Sequence, residues 1–105
     1  MKIYDKAMWQ IDNGVEKSMV INHFKFVFEW LKNQNMLNNN GLEIFDIGID
    51  EEVSLNESLL TDKGNEFVDM YYDELISSAG YDFQKEKELI NELYSKFSKN
   101  GSFEF

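Results

Sequence analysis

The only histidine in the chain, His23, is the first residue to weigh as a catalytic base or a metal ligand. It shares an apolar stripe at helical spacing with Phe26 and Trp30. A catalytic histidine needs a nucleophile or an orienting carboxylate within hydrogen-bonding reach. The sequence has no cysteine and no HExxH motif, so it offers no set of zinc ligands. We therefore expect His23 to be a packed core residue, and we expect no metal and no cofactor.

Carboxylates are the other residues that could do chemistry, and the chain has 20 of them. Two carboxylates can act as the acid and base of a glycosidase, but at this density close pairs arise by chance. The spacing of Asp46, Asp50 and Glu52 does not match a calcium-binding EF-hand loop. No GxxxxGK[ST] or GxGxxG loop is present, and no serine lies in a GxSxG motif. The sequence therefore predicts a protein that is not an enzyme.

The net charge of −10 favours some partners and disfavours others. It repels the phosphate backbone of nucleic acids and anionic lipids. It attracts cationic partners and speeds association with them, although solubility alone is an alternative reason for an acidic composition. The sequence shows no apolar run that could span a membrane and no secretory signal. Because it also lacks cysteine, we expect a cytoplasmic protein.

Seven residues are candidates for a surface that binds a partner. Four of them are acidic residues between positions 46 and 52, and three lie on a later helix. Tyr71 and Tyr72 point about 100° apart on that helix, so we expect Tyr71 in the core and Tyr72 at its edge. An ordinary solvated face is the alternative. The candidates are Asp46, Asp50, Glu51, Glu52, Asp69, Tyr72 and Asp73.

Helices must position these residues, because apolar residues recur at helical spacing along most of the chain. The pattern predicts long helices over 18–37, up to Gly80 and from Asp82 onward, with a short one near 5–11. Glycine and asparagine mark the turns, since the chain has no proline. We expect a mainly α fold, a compact bundle of three to four helices in a single domain over 1–105.

The segment 42–49 allows two interpretations. Its stretch FDIGI alternates apolar residues with Asp and Gly, which fits a short β element with Ile47 on its buried face. Such a strand needs a partner, and residues 2–4 (KIY) or 102–105 (SFEF) could supply it. Otherwise the segment is an extended loop over the helices.

The helix that ends at Gly80 carries an internal glycine, Gly64. Thr61 or Asp62 can cap its N-terminus. A glycine in a helix interior costs roughly 1 kcal/mol relative to alanine, so we expect another backbone or ring to pack against Gly64. The residues expected on the buried faces of this helix and the last one are Leu60, Gly64, Phe67, Val68, Tyr71, Leu75 and Ala79, then Phe83, Ile90, Leu93, Tyr94 and Phe97.

Short motifs along the chain resemble a small bacterial family whose members lie near polymorphic-toxin and immunity genes. The chain lacks the proline-containing stretch that follows the first tryptophan in that pattern, and the pattern does not cover its last part. The matching elements are Tyr4-Asp5-Lys6-Ala7-Met8-Trp9, then His23 and Trp30 seven residues apart, then Gly64-Asn65-Glu66-Phe67 and Tyr71-Tyr72-Asp73.

This resemblance implies an immunity protein of a contact-dependent growth inhibition or related toxin system, which binds its cognate toxin and blocks it. Many such toxins are nucleases, RNases among them, and their substrate clefts are basic. An acidic protein can occupy such a cleft in place of the phosphate backbone. The alternative is an interaction or adaptor module of a phage or mobile element. We expect no direct contact with nucleic acid or membrane, and the oligomeric state stays open.

Overall fold

The structure is a computed structural model that describes residues 1–100. Within these residues the fold is mainly α with one small two-stranded sheet, which confirms the predicted fold class. A single 3-10 turn, Glu57–Leu59, precedes the fourth helix. In chain order the elements are β1 (Ile3–Lys6), α1 (Ala7–Asp12), α2 (Lys17–Asn33), α3 (Asn39–Ile47), β2 (Ser54–Asn56), α4 (Asp62–Ala79) and α5 (Phe83–Asn100).

The β element lies elsewhere than the sequence predicted. β1 pairs antiparallel with β2, with Asp5 opposite Leu55 and Lys6 opposite Ser54. The segment KIY is therefore a strand, as one alternative proposed, but its partner is not 42–49. The other proposed partner, SFEF, lies outside the described residues.

Residues 42–47 belong to helix α3, so the prediction of a strand or an extended loop there is wrong. Asn38 caps the helix, because its side chain accepts a hydrogen bond of 3.0 Å from the Gly41 N–H. Gly41 lies inside the first turn, and a Cβ there would stand 2.3 Å from the Leu59 carbonyl oxygen. Asn35, with a φ of 59°, takes the left-handed position just beyond the end of α2.

Helix α2 is covered on more than one side. Phe28 lies outside the stripe of His23, Phe26 and Trp30, yet it is fully buried. The helix begins at Lys17, one residue before the predicted range 18–37, and its N-cap residue is Glu16. The buried residues of α2 are Val20, His23, Phe24, Val27, Phe28, Trp30 and Leu31.

Backbone contacts divide the chain into two compact units, Met1–Glu66 and Phe67–Phe105, with the boundary inside α4. In the first unit the side chain of Asn65 ties β1 to the start of α4. It accepts a 2.8 Å hydrogen bond from the Tyr4 hydroxyl and donates one of 3.1 Å to the Glu57 carbonyl. The expectation of a single domain over 1–105 stays a prediction.

The second unit contains the rest of α4 and helix α5, and aromatic rings pack between these helices. The Phe67 ring lies edge-on to that of Phe97, with centroids 5.3 Å apart. Gly80, with a φ of 59°, follows the last residue of α4, and Asp82 caps α5 by accepting a 3.0 Å hydrogen bond from the Lys85 N–H. Both boundaries were predicted. Phe83 was expected in the core, but it is exposed.

Candidate protein-binding surface

An acidic segment, residues 46–52, joins the end of α3 to the turn before β2. It contains four of the seven candidate residues. Asp46, Asp50 and Glu52 are exposed, and Glu51 is half-buried. The carboxylates of this segment therefore face solvent, where a cationic partner could reach them.

Local hydrogen bonds and two buried side chains hold the acidic segment in one shape. The Gly48 N–H donates to the Ile44 carbonyl oxygen at 3.1 Å, and Gly48 takes a φ of 122° that favours glycine. Ile49 and Val53 are buried on either side of the turn. Asp50 closes that turn with its side chain, which accepts a 2.9 Å hydrogen bond from the Glu52 N–H.

Other parts of the first unit border the acidic segment. The Ala7 N–H, at the start of α1, donates to the Val53 carbonyl oxygen at 3.1 Å. The Lys17 ammonium, at the start of α2, lies 3.4 Å from the Glu51 carboxylate. This exposed ion pair adds little stability, but it neutralises one of the four carboxylates. Asp46, Asp50 and Glu52 thus carry most of the unbalanced charge.

Ile47 is the residue of this surface that the sequence did not reveal. Its side chain is 75% exposed at the end of α3, although the strand pattern placed it in the core. The difference follows from the period: Ile47 lies one turn after Glu43, which is also exposed, and both occupy the outer face of the helix. A helical interpretation of 39–47 would have placed Ile47 beside Glu43.

The remaining candidates lie in the second unit, on α4. Asp69 and Asp73 are exposed and four residues apart, so they share one face of the helix. Tyr72 is only 5% exposed, whereas Tyr71 is half-buried, so the assignment of the two tyrosines is reversed. The physical reason is the course of the buried stripe, which runs through Gly64, Val68 and Tyr72 at intervals of four. Tyr72 is thus a packed residue.

The Tyr4–Trp9 motif of the resemblance is mainly structural. Asp5 is buried and accepts hydrogen bonds from the Lys6 N–H at 2.8 Å and the Gln10 side chain at 3.0 Å. Ala7 is fully buried. Trp9 differs, since 47% of its surface is exposed and the Lys6 ammonium lies 5.8 Å from its ring. Trp9 is, like Ile47, one of several exposed large apolar side chains of the first unit.

His23 lies in the protein interior, 2% exposed, with its ring edge-on to Phe24 at 5.1 Å. Its burial agrees with the predicted core role. Across residues 1–100, no three histidine or carboxylate side chains come close enough together to hold a metal ion. In the same part of the chain, none of the helices has both the length and the apolar character that crossing a membrane requires.

Comparison of the chain with protein-family models, curated proteins and solved structures found no match. The candidate surface is therefore interpreted from its own geometry and charge. The resemblance to immunity proteins stays an expectation.

Proposed function

We propose that this chain is an immunity protein that acts in the cytoplasm and catalyses no reaction. It binds a basic toxin domain, a nuclease, and covers the surface by which that domain binds its nucleic-acid substrate. The proposal joins the resemblance of the short motifs to the acidic character of the chain, whose net charge is −10.

The pre-formed acidic segment is the observation that carries the proposal. Asp46, Asp50 and Glu52 are exposed on a turn that is already ordered by its own hydrogen bonds. A surface that is ordered before binding loses less conformational entropy in the complex. Carboxylates in fixed positions also complement the cations of a nuclease cleft, which otherwise meet phosphates, and they speed the encounter.

The environment of His23 supports a non-catalytic role. A general base must reach the proton that it abstracts, directly or through one water molecule. His23 is buried with its ring edge-on to that of Phe24 at 5.1 Å, a setting typical of a packed core residue. The role that its burial favours is packing.

The test uses the protein encoded by the adjacent upstream gene. That protein should inhibit growth when it is expressed alone, and co-expression of this chain should restore growth. In vitro, the purified chain should bind it and suppress its cleavage of RNA or DNA at a stoichiometric ratio. Assaying both substrates identifies the nuclease class.

Two results would overturn the immunity proposal. The first is an upstream protein that harms growth equally with and without this chain. The second is a stable complex with a neighbouring protein that has no toxicity, which would favour the adaptor alternative.

A further inference from the structure

Ile47 has an unusual setting for an exposed apolar residue. Single exposed apolar side chains are common on protein surfaces and need no explanation by themselves. Ile47, however, is 75% exposed, and exposed carboxylates lie within five residues of it on both sides along the chain. These are Glu43, Asp46, Asp50 and Glu52.

A lysine of α2 packs against the other side of α3. The Lys32 ammonium lies 5.1 Å from the centroid of the Phe45 ring. Two residues along a helix correspond to about 200°, so Phe45 and Ile47 point in nearly opposite directions. Lys32 therefore lies on the side of α3 away from Ile47.

The backbone around Ile47 is also held in place. Helix α3 precedes it, and the Gly48 N–H after it donates to the Ile44 carbonyl oxygen. Ile49 then buries its side chain and anchors the chain on the far side. Ile47 is thus presented by an ordered backbone, so little additional order is needed when a partner covers it.

We propose that Ile47 is the apolar anchor of the toxin-binding surface, an inference that rests on the proposed function. Its side chain enters an apolar pocket of the partner, and the surrounding carboxylates meet lysine and arginine at the rim of that pocket. This arrangement, an apolar centre within a polar rim, is typical of protein interfaces.

Charge decides which kind of molecule covers Ile47. A nucleic acid or an anionic membrane would bring phosphates against the carboxylates. In a homodimer formed through this surface, the carboxylates around Ile47 of one copy would face those of the other copy and repel them. A basic protein surface satisfies both the apolar side chain and its acidic rim, so it is the occupant.

The experiment measures binding of the full chain to two probes by calorimetry. The first probe is the protein encoded by the adjacent upstream gene. The second is oligolysine, a basic polymer without an apolar pocket. The variants are Ile47→Ser, the conservative Ile47→Leu, and Met70→Ser, which removes an apolar side chain of 51% exposure from α4 beside Asp69.

Ile47→Ser should weaken binding to the upstream protein roughly tenfold or more, as expected for loss of a buried apolar anchor. Ile47→Leu and Met70→Ser should bind within about threefold of the unaltered chain, well below the effect of losing an anchor. All three variants should bind oligolysine as the unaltered chain does. Thermal unfolding checks that each variant is folded.

The outcomes separate this inference from the proposed function. Tight binding that is insensitive to Ile47→Ser overturns the anchor and leaves the immunity proposal standing. Sensitivity to Met70→Ser instead transfers the anchor to α4, which also overturns the inference. If the unaltered chain does not bind the upstream protein, the proposed function fails, and the inference fails with it.

Discussion

Gly64 lies directly against the backbone of Met36: a Cβ at position 64 would stand 2.5 Å from the Met36 carbonyl oxygen and 3.0 Å from its Cβ. The same carbonyl oxygen accepts hydrogen bonds from the Thr61 N–H at 2.9 Å and from the Thr61 hydroxyl at 3.3 Å. Thr61 in turn caps α4, since its hydroxyl accepts the Gly64 N–H at 3.1 Å. The first turn of α4 is thus built on the chain that follows α2.

Substitution of Gly64 by alanine sets two effects against each other. Helix propensity alone would stabilise the folded state by roughly 1 kcal/mol. The clash with Met36 involves backbone, which cannot move aside freely, and overpacking of this kind costs about 1–3 kcal/mol. We expect Gly64→Ala to lower the free energy of unfolding, as measured in urea. Ser78→Ala, at an exposed position of α4, is the control and should change it little. A stabilised Gly64→Ala variant would contradict the close approach.

The two adjacent tyrosines of α4 should differ sharply in their contribution to stability. Tyr72 is buried, so Tyr72→Ala should lower the free energy of unfolding by about 3–5 kcal/mol, the range for removing a large core side chain. Tyr71 is half-buried, with its ring centroid 5.6 Å from that of Phe67, so Tyr71→Ala should cost less. Urea unfolding of the two variants checks the order. Equal costs would contradict the difference in burial, and a larger cost for Tyr71→Ala would favour Tyr71 as the core residue.

His23→Ala distinguishes a packed histidine from a catalytic one. Removing this buried ring should lower the free energy of unfolding by about 2–5 kcal/mol, as large-to-small substitutions in a core do. Asn22→Ala, at the exposed neighbouring position, is the matched control. A His23→Ala variant that keeps full stability but loses function would argue for chemistry at His23 and against the core role.

Electrostatic attraction can be tested with isosteric substitutions that leave the fold unchanged. The double variant Asp50→Asn with Glu52→Gln removes two charges, and the amide introduced at position 50 keeps an oxygen that can accept the N–H of residue 52. The control, Glu88→Gln with Glu92→Gln on α5, removes the same number of charges elsewhere. We expect the first pair to weaken binding to the upstream protein by several-fold up to about tenfold, and the second to weaken it less.

Salt provides an independent measure of the same attraction. The Debye length falls from about 10 Å at 0.1 M to about 3 Å at 1 M ionic strength, so exposed charges are screened as salt rises. Affinity for the upstream protein should therefore fall with salt, mainly through a slower association rate. An affinity that does not change with salt would argue against an electrostatic complex while leaving the immunity role open.

Helix ends were predictable where the cap and the apolar stripe agreed. Thr61, one of the two predicted caps of α4, forms the cap, and Gly80 and Asp82 mark the helix ends as predicted. A close approach at Gly64 was also predictable, because its helix-propensity cost calls for a packing reason. These features depend on residues near one another in the chain.

The main error arose because a short alternating run was assigned the strand period. In FDIGI the apolar residues alternate, but helix α3 ends inside this run at Ile47, and so short a run does not exclude a helix. The cap at Asn38, three residues before Gly41, is the signal that could have favoured the helix. Strand β2 has a single buried residue, Leu55. The sequence therefore carries no alternating pattern that would predict its pairing with β1. The exposure of Ile47 was not predicted for the same reason as the helix, because a strand would have buried this residue.

Hydrogen bonds bring the two ends of the segment 37–60 together. They join Met36 to Thr61, and Asn38 to the carbonyl oxygens of Ser58 and Leu60. The acidic segment 46–52 lies in the middle of the segment 37–60. Backbone hydrogen bonds and the buried Ile49 and Val53 hold this segment, so its shape does not depend on the exposed side chains of Asp46 and Glu52. Substitutions at these two positions should therefore change the charge of the surface and leave the hydrogen bonds between Met36 and Thr61 as they are.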